Sequence, residues 1–180
     1  MTTTVFIVNG KPLAGKDTLI DFMYEHLESI GIPVRAFSSI DPVRDVLINM
    51  HIDVSLKTDR DRKLLSVVGD AVEEHSCYRT DKCKMHIIWV NDTFKKHPTK
   101  VAFLHIREPH LIEKIIKDLS QETVKFVKVM VESNRSKNVT SNKSDAGVDA
   151  MEYDVLVNND EDLNSLHDKA LRLLDMYEVI

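Results

Sequence analysis

One segment near the start of the chain reads Gly10-Lys11-Pro12-Leu13-Ala14-Gly15-Lys16-Asp17-Thr18. It follows a short apolar run, Val5 to Val8, and precedes residues whose apolar side chains recur every three or four positions. The run predicts a buried strand, and the spacing predicts a helix. We therefore expect a strand, a loop bounded by two glycines, and a helix that begins near Lys16.

The composition and context of this loop are typical of a phosphate-binding P-loop. Backbone N–H groups and the positive end of the helix dipole can hold an anion, and Lys16 adds a mobile positive charge. Asp17 stands where serine or threonine usually meets Mg²⁺, so its carboxylate is the candidate metal ligand. An acid in the first turn also complements the helix dipole, which is the alternative role for Asp17. The residues predicted to contact a bound triphosphate are Gly10, Lys11, Ala14, Gly15, Lys16, Asp17 and Thr18.

The composition predicts a single globular domain over residues 1–180. Hydrophobic residues make up 43% of the chain and charged residues 29%, as in ordinary soluble proteins. The net charge of −5 argues against a broad basic surface, so we expect no nucleic-acid partner. No apolar segment could span a membrane and no signal peptide is evident, so we expect a cytoplasmic protein with no membrane partner. Cys77 and Cys83 are then expected to be reduced thiols.

Strand and helix patterns alternate along the chain. This alternation predicts βαβ crossovers and a parallel sheet that helices cover on both faces. Asp41, just before Pro42, is the predicted N-cap of the second helix. Further strands are predicted at 34–37, 100–106, 124–131 and 154–158, and helices at 19–30, 41–50, 58–75, 85–97, 109–119 and 160–177.

In a parallel sheet, ligands bind at the carboxyl ends of the strands. Two segments at that edge are longer than simple connections: a helical insert at 38–98 and a polar, lid-like segment at 132–150. Long segments at this edge commonly cover a substrate. The polar residues predicted along the edge are Lys16, Ser38, Asp41, Arg107 and Arg135.

Four motifs taken together resemble the bacteriophage-type deoxynucleoside monophosphate kinase family. Besides the P-loop they are Asp41-Pro42 followed by Arg44, Ile106-Arg107-Glu108-Pro109, and Ser141-Asn142-Lys143-Ser144-Asp145 ahead of Tyr153-Asp154. The resemblance covers most of the chain, in order. It implies a three-layer α/β P-loop nucleoside monophosphate kinase-like fold, with a five-stranded parallel sheet in the order 2-3-1-4-5 and a lid.

The resemblance also implies an activity and its participants. ATP would donate its γ-phosphoryl group to a (deoxy)nucleoside monophosphate, with Mg²⁺, in bacterial or phage-infected cytoplasm. Lys16 and the loop amides would hold the β- and γ-phosphates, and Thr18 would contact the α-phosphate. Arg135 would bind ATP and meet the transferring phosphoryl group, and a homodimer is one assembly to consider. The acceptor site would consist of Ser38, Asp41, Arg44 and Arg107, and the catalytic residues would be Lys16, Arg107 and Arg135.

Each arginine has a structural alternative. Planar, bidentate guanidinium groups suit an acceptor phosphate. Arg44, however, could equally form a surface ion pair with a neighbouring aspartate, and Arg107 could pair with Glu108. Arg135 could lie in a solvated loop. The base of the acceptor could stack on Tyr78, Trp89 or Phe94, although aromatic side chains at helical spacing are more often core.

The chain departs from the family pattern at His105, where many such kinases carry an acid near the end of the third strand. Asp17 or Asp41 could take over the task of that acid. Asn142-Lys143-Ser144-Asp145 matches the guanine-reading motif of GTPases, but about ten polar residues separate it from the preceding strand, which disfavours a GTPase. Two other readings stay open: a P-loop kinase of another small phosphorylated metabolite, such as phosphomevalonate, and a nucleotide-binding protein without turnover.

Overall fold

β1 (Thr2–Asn9) is the central strand of a five-stranded parallel sheet. The computed structural model describes residues 2–56, 58–136 and 147–180. Within these ranges five strands and six α-helices follow one another in the order that the sequence predicts, with three helices in succession between the second and third strands. The remaining strands are β2 (Val34–Ser38), β3 (Thr99–His105), β4 (Val124–Glu132) and β5 (Val155–Asn158), and the helices are α1 (Lys16–Ser29), α2 (Asp41–Asn49), α3 (Asp59–Ser76), α4 (Tyr78–Thr93), α5 (Pro109–Asp118) and α6 (Leu163–Met176).

The strand order is β2-β3-β1-β4-β5, which confirms the predicted order. β1 is buried along almost its whole length, because it pairs with β3 on one side and with β4 on the other. All four pairings are parallel, so the carboxyl ends of the strands share one edge. At that edge Ser38 lies opposite His105, and Glu132 lies opposite Asn158.

Helices cover both faces of the sheet, which gives the predicted three layers. α1 and α6 pack on one face around Phe6 and Val8 of β1. α4 and α5 pack on the opposite face, against Val5 and Ile7. α2 and α3 form a smaller apolar cluster within the predicted insert. The strands are apolar on both faces because both faces are covered.

α4 corrects one prediction, since it covers Tyr78–Thr93 rather than 85–97. Only Cys77, in a left-handed conformation with φ 56°, separates α3 from α4. The first inward-facing residues of α4 are Arg79 and Thr80, both buried. Because these buried side chains are polar, apolar periodicity gave no signal for the start of the helix.

Asp41 is not the N-cap of α2; that position belongs to Ile40. The Asp41 carboxylate instead reaches back to the end of β2, where it accepts a hydrogen bond from the Ser38 backbone N–H at 2.9 Å. α3, by contrast, begins as predicted after Thr58, which forms a capping box with Asp61.

The lid-like segment 132–150 is only partly described. β4 extends into it as far as Glu132, and short 3₁₀ turns follow at Asn134–Ser136 and Val148–Ala150. The motif at 142–145 lies outside the described residues. Among the helices that are described, none combines the length and the apolar character needed to cross a bilayer.

Candidate functional site

The loop between β1 and α1 has a backbone that only glycine accommodates at its two ends. Gly10 and Gly15 have φ values of 144° and 93°, a region that residues with a Cβ rarely adopt. A Cβ at position 10 would lie 2.3 Å from the Val131 carbonyl oxygen. A Cβ at position 15 would lie 2.2 Å from Nδ2 of Asn159. The two glycines therefore allow the loop to pack closely against β4 and the segment after β5.

Asn159 holds the loop in place through a side-chain hydrogen bond. This residue is buried, and its side-chain amide donates a hydrogen bond to the Ala14 carbonyl at 2.8 Å. α1 begins at Lys16 with Gly15 as its N-cap, so no N-cap side chain competes for the first amides of the helix. The positive end of α1 is thus presented at the carboxyl edge of β1.

Lys16 folds back over the loop. Its Nζ donates a hydrogen bond to the Lys11 carbonyl at 2.9 Å, which encloses the loop backbone. Lys11 forms an ion pair of 3.0 Å with Asp149, in the turn that leads to β5. The two lysines therefore lie on the same loop, where their charges can act on one bound anion.

Asp17 and His105 connect the start of α1 to the end of β3. Their side chains are 3.8 Å apart, and the Asp17 side chain is 85% exposed. Burial lowers the pKa of His105, while the Asp17 carboxylate opposes this change. At neutral pH His105 is therefore mostly uncharged, and Asp17 remains available for another cation.

The donor set fits Mg²⁺ in the form that phosphoryl-transfer sites use. Mg²⁺ keeps several waters and takes only one or two carboxylates, with substrate phosphates as further ligands. Asp17 supplies an exposed carboxylate beside Lys16. No group of three or more His, Cys, Asp or Glu side chains within the described ranges could hold a metal ion by itself. A cation here would therefore need the phosphates of a nucleotide to complete its ligands.

Ser38, Asp41 and Arg44 are brought together at the end of β2. Asp41 accepts the Ser38 backbone N–H, and its second carboxylate oxygen pairs with Arg44 at 2.6 Å. The Ser38 hydroxyl lies 3.4 Å from the His105 carbonyl, so the group borders the end of β3. The local ion pair expected as the alternative for Arg44 is thus present, and it places the guanidinium group at this edge.

Arg79 forms the most buried charged group at this edge. It is 4% exposed and donates hydrogen bonds to the Ser39 carbonyl, the Ser39 hydroxyl and Glu108, the last at 2.7 Å. Asp70 lies 3.8 Å away on the other side of the guanidinium group. Arg79 thereby joins α4, the end of β2 and the connection from β3 to α5.

Arg107 lies directly between β3 and α5, half-buried, at the predicted edge. Its backbone N–H donates to the Glu108 carboxylate at 3.3 Å. That carboxylate is also bound by Arg79, so the Arg107–Glu108 segment is held in place from α4.

Arg135 lies on the β4–β5 side of the P-loop, opposite Arg44 and Arg107. Its guanidinium group donates to the Asn159 carbonyl at 2.8 Å and to the Ser133 hydroxyl at 3.2 Å. The side chain is therefore anchored to the residue that also holds the Ala14 carbonyl.

A cavity of about 210 Å³ opens at the ends of β4 and β5, where Ser133 and Asn134, just before Arg135, line it. Lys11 and Asp149 line the cavity on the loop side. Asp160 lines it on the other side, where its carboxylate accepts the backbone and side-chain N–H groups of Asn134 at 2.6 and 2.7 Å. The cavity thus has charged groups on two sides, beside the apolar Met130 and Val131, and Lys11 connects it to the P-loop.

The predicted residues fall into two groups around the P-loop. Arg135 and Lys11 lie on the β4–β5 side, and Ser38, Asp41 and Arg44 lie on the β2–β3 side, with Asp17 next to His105. Arg79 and Asn159 were not predicted. An asparagine directly after a strand at the ligand edge was a usable signal for Asn159. Arg79, inside a polar helical stretch, gave none.

Comparison with solved structures identifies the fold. The APS kinase CysC of Mycobacterium tuberculosis, solved in complex with AMPPNP and APS, aligns over 97% of this chain and 98% of its own, with a TM-score of 0.52 and 14% identity. A mutant of the same enzyme gives a TM-score of 0.53 at 15% identity, with 97% of both chains covered. A hexameric APS kinase from Thiobacillus denitrificans gives 0.53 at 11% identity, over 98% of this chain and 29% of that one.

These similarities establish the fold of P-loop kinases for this chain. At identities of 11–15% they establish the fold alone. No protein-family model matches the sequence, and no curated protein sequence matches it.

Proposed function

We propose that this chain is an ATP-dependent kinase that transfers the γ-phosphoryl group to a (deoxy)nucleoside monophosphate. The observation that carries the proposal is the loop from Gly10 to Lys16. It presents its amides, the positive end of α1 and two lysines at the carboxyl edge of β1, within a P-loop kinase fold. Phosphoryl transfer depends on positioning and charge neutralisation more than on covalent chemistry, and this arrangement supplies both.

The donor would lie across the P-loop with its base toward β4 and β5. The cavity of about 210 Å³ adjoins the loop at Lys11, and it offers carboxylate and amide groups to the edge of a base. Lys16 and the loop amides would hold the β- and γ-phosphates. Arg135, anchored through Asn159, would approach the phosphates from the same side. Mg²⁺, held through Asp17, would neutralise phosphate charge when bound.

The acceptor would bind on the opposite side, at the ends of β2 and β3. Arg44 and Arg107 are the candidate phosphate ligands, and Ser38 and Asp41 shape the site between them. Arg79 would act as a positioning residue, because it binds Glu108, the neighbour of Arg107. α2, α3 and α4, within the predicted insert, would enclose the rest of the acceptor.

APS is a second candidate acceptor. It is supported by the APS kinase fold match, in which one solved complex holds AMPPNP together with APS. Both acceptors carry a phosphate that arginine side chains could bind.

The test is an ADP-release screen with ATP and Mg²⁺, against all ribo- and deoxyribonucleoside monophosphates, APS and phosphomevalonate. We expect ADP release with at least one nucleoside monophosphate and none from the Lys16→Ala variant. Turnover confined to APS or phosphomevalonate would contradict a nucleoside monophosphate as the acceptor but would support kinase activity. ATP binding without ADP release in any reaction would reduce the chain to a nucleotide-binding protein.

A further inference from the structure

The outward face of α4 carries a regular stripe of side chains. Its inward residues, among them Cys83, Ile87 and Val90, are buried against the sheet. On the opposite face, residues recur at alternating spacings of four and three, as in the seam of a coiled coil. In its centre Met85 is 58% exposed and Trp89 47% exposed. We define this outer stripe as Tyr78, Lys82, Met85, Trp89 and Asp92.

The outer stripe is complementary to itself. Met85 and Trp89 lie two residues on either side of Ile87, and Lys82 and Asp92 lie five residues on either side. Suppose that two copies of α4 pair antiparallel, with their outer stripes facing each other and a twofold axis crossing the helices at the level of Ile87. Each Met85 then meets the partner's Trp89. Each Lys82 then meets the partner's Asp92. The Met85–Trp89 sulfur–aromatic contact and the Lys82–Asp92 opposite-charge pair are both favourable, and each occurs twice in the dimer.

The charges of the outer stripe have no ion-pair partner in their own chain, as far as the described ranges extend. The Lys82 ammonium lies over the ring of Tyr78, 5.5 Å from its centroid, and Asp92 takes part in no salt bridge there. Lys84, beside the stripe, is by contrast already paired with Asp81 and Asp118, each at 2.8 Å. The outer stripe therefore carries a cation and an anion that remain available to a second molecule.

Trp89 is held in position before any partner binds. Phe94 packs edge-on against it, with ring centroids 6.1 Å apart. The Arg35 guanidinium group, on the edge strand β2, lies 5.9 Å from the Trp89 ring centre and 5.4 Å from that of Phe94. An exposed aromatic side chain that is already ordered loses little conformational entropy on association.

From this geometry we infer that the chain forms a homodimer through antiparallel pairing of α4 with α4 of a second copy. The partner is a second copy because the order of charges along the outer stripe matches its own reverse. A standard protein–protein interface buries about 1,600 Å². A single pair of helices buries less, so the dimer dissociates on dilution. The inference does not depend on the proposed kinase activity.

The test combines sedimentation velocity over a dilution series with the fluorescence of Trp89, the only tryptophan in the chain. The wild type should sediment faster as concentration rises, and its emission should move to shorter wavelength over the same range. Lys82→Asp and Asp92→Lys should each weaken the dimer at least tenfold, because each places like charges opposite one another. The double variant, Lys82→Asp with Asp92→Lys, should dimerise as the wild type does.

Mixing the two single variants gives a further result that only this pairing predicts. One chain then carries two aspartates and the other two lysines, so the mixture should form a heterodimer although neither variant dimerises alone. Lys63→Asp, on the exposed face of α3, is the control for the same change of charge outside the stripe. Circular dichroism of every variant checks that the fold is kept.

Three results would overturn the inference. The first is a wild type that stays monomeric at the highest concentration tested. The second is dimerisation of both single variants at wild-type strength. The third is a double variant that keeps its fold but stays monomeric. Because the readouts are sedimentation and fluorescence, failure of the kinase assay would leave the dimer standing, and the reverse also holds.

Discussion

Arg79 on α4 forms a hydrogen-bonded ion pair with Glu108 at 2.7 Å, with both side chains largely withdrawn from solvent. The same guanidinium group holds Ser39 at the end of β2. One side chain thus ties three separate elements together at the edge where the acceptor is proposed to bind. Such a pair combines a large desolvation cost with a strong mutual dependence of its two members.

Replacing Arg79 by methionine should destabilise the protein by about 3 kcal/mol, because it leaves Glu108 without its cation. Urea unfolding measures this loss. The matched control is Arg44→Met, which breaks the more exposed Arg44–Asp41 pair and should cost about 0–1 kcal/mol. If Arg79→Met and Arg44→Met lost the same free energy of unfolding, burial of the Arg79–Glu108 pair would contribute nothing to stability.

Gly15→Ala should lower both the stability and the ATP affinity. The new methyl group would lie 2.2 Å from the Asn159 amide that holds the Ala14 carbonyl, so the loop must shift. Gly31→Ala is the control, since Gly31 also has positive φ, at 75°, but nothing lies within 4 Å of its Cβ position. That variant should lose only about 1 kcal/mol from backbone strain and keep its ATP affinity, measured by calorimetry. Normal ATP binding by Gly15→Ala would refute the proposed loop geometry.

Lys16→Ala and Arg107→Ala should each reduce turnover at least about 100-fold. Lys16→Ala removes a positive charge beside the phosphates of ATP, and Arg107→Ala removes one beside the phosphate of the acceptor. Only Lys16→Ala should also weaken ATP binding, since Arg107 is assigned to the acceptor. Initial rates and ATP titrations separate the two effects. Lys63→Ala, on the exposed face of α3, serves as the unaffected control. If Arg107→Ala lost ATP affinity to the same extent as Lys16→Ala, the assignment of Arg107 to the acceptor would be wrong.

His105 should make the stability fall as the pH drops below about 6.5, the ordinary histidine pKa. Burial lowers the pKa of His105 in the folded protein, so between these two values only the unfolded chain takes up the proton. Unfolding free energies measured from about pH 7.5 to about pH 5.5 should therefore fall more steeply for the wild type than for His105→Gln. Asp17→Asn should steepen the fall, because its carboxylate raises the pKa of His105. An NMR titration that gives His105 an ordinary or raised pKa would contradict this account.

The two cysteines should differ in reactivity toward a thiol reagent at pH 8. Burial raises the pKa of the Cys83 thiol to about 12, and the residue is only 1% exposed. Cys77 is half-buried at the junction of α3 and α4, where its Sγ accepts a hydrogen bond from Lys114. We expect one thiol to react in the native protein and two after denaturation, with the native reaction lost in Cys77→Ser. Rapid reaction of both thiols in the native protein would mean that α4 opens readily.

Local signals in the sequence were sufficient for the first strand, the loop and the first helix. The apolar run of β1, the two glycines and the helical spacing after Lys16 predict a strand, a loop and a helix, and the structure has all three. These signals work because a buried parallel strand, a positive φ and an amphipathic helix each restrict residue type within a few positions. The same reasoning failed at the start of α4, where the buried residues are polar.

Contacts between distant residues were decided only by the tertiary structure. Asn159 is 145 positions from Ala14, and Arg79 is 29 from Glu108, so no local pattern links the members of either pair. Their pairing follows from the parallel sheet, which gathers strand ends from the whole chain at one edge. The sequence by itself determined that a loop bounded by two glycines, followed by a helix, would lie at that edge. Which side chains fasten the loop, and which charge is buried beside it, depended on how the helices pack, because burial and pairing exist only in the folded chain.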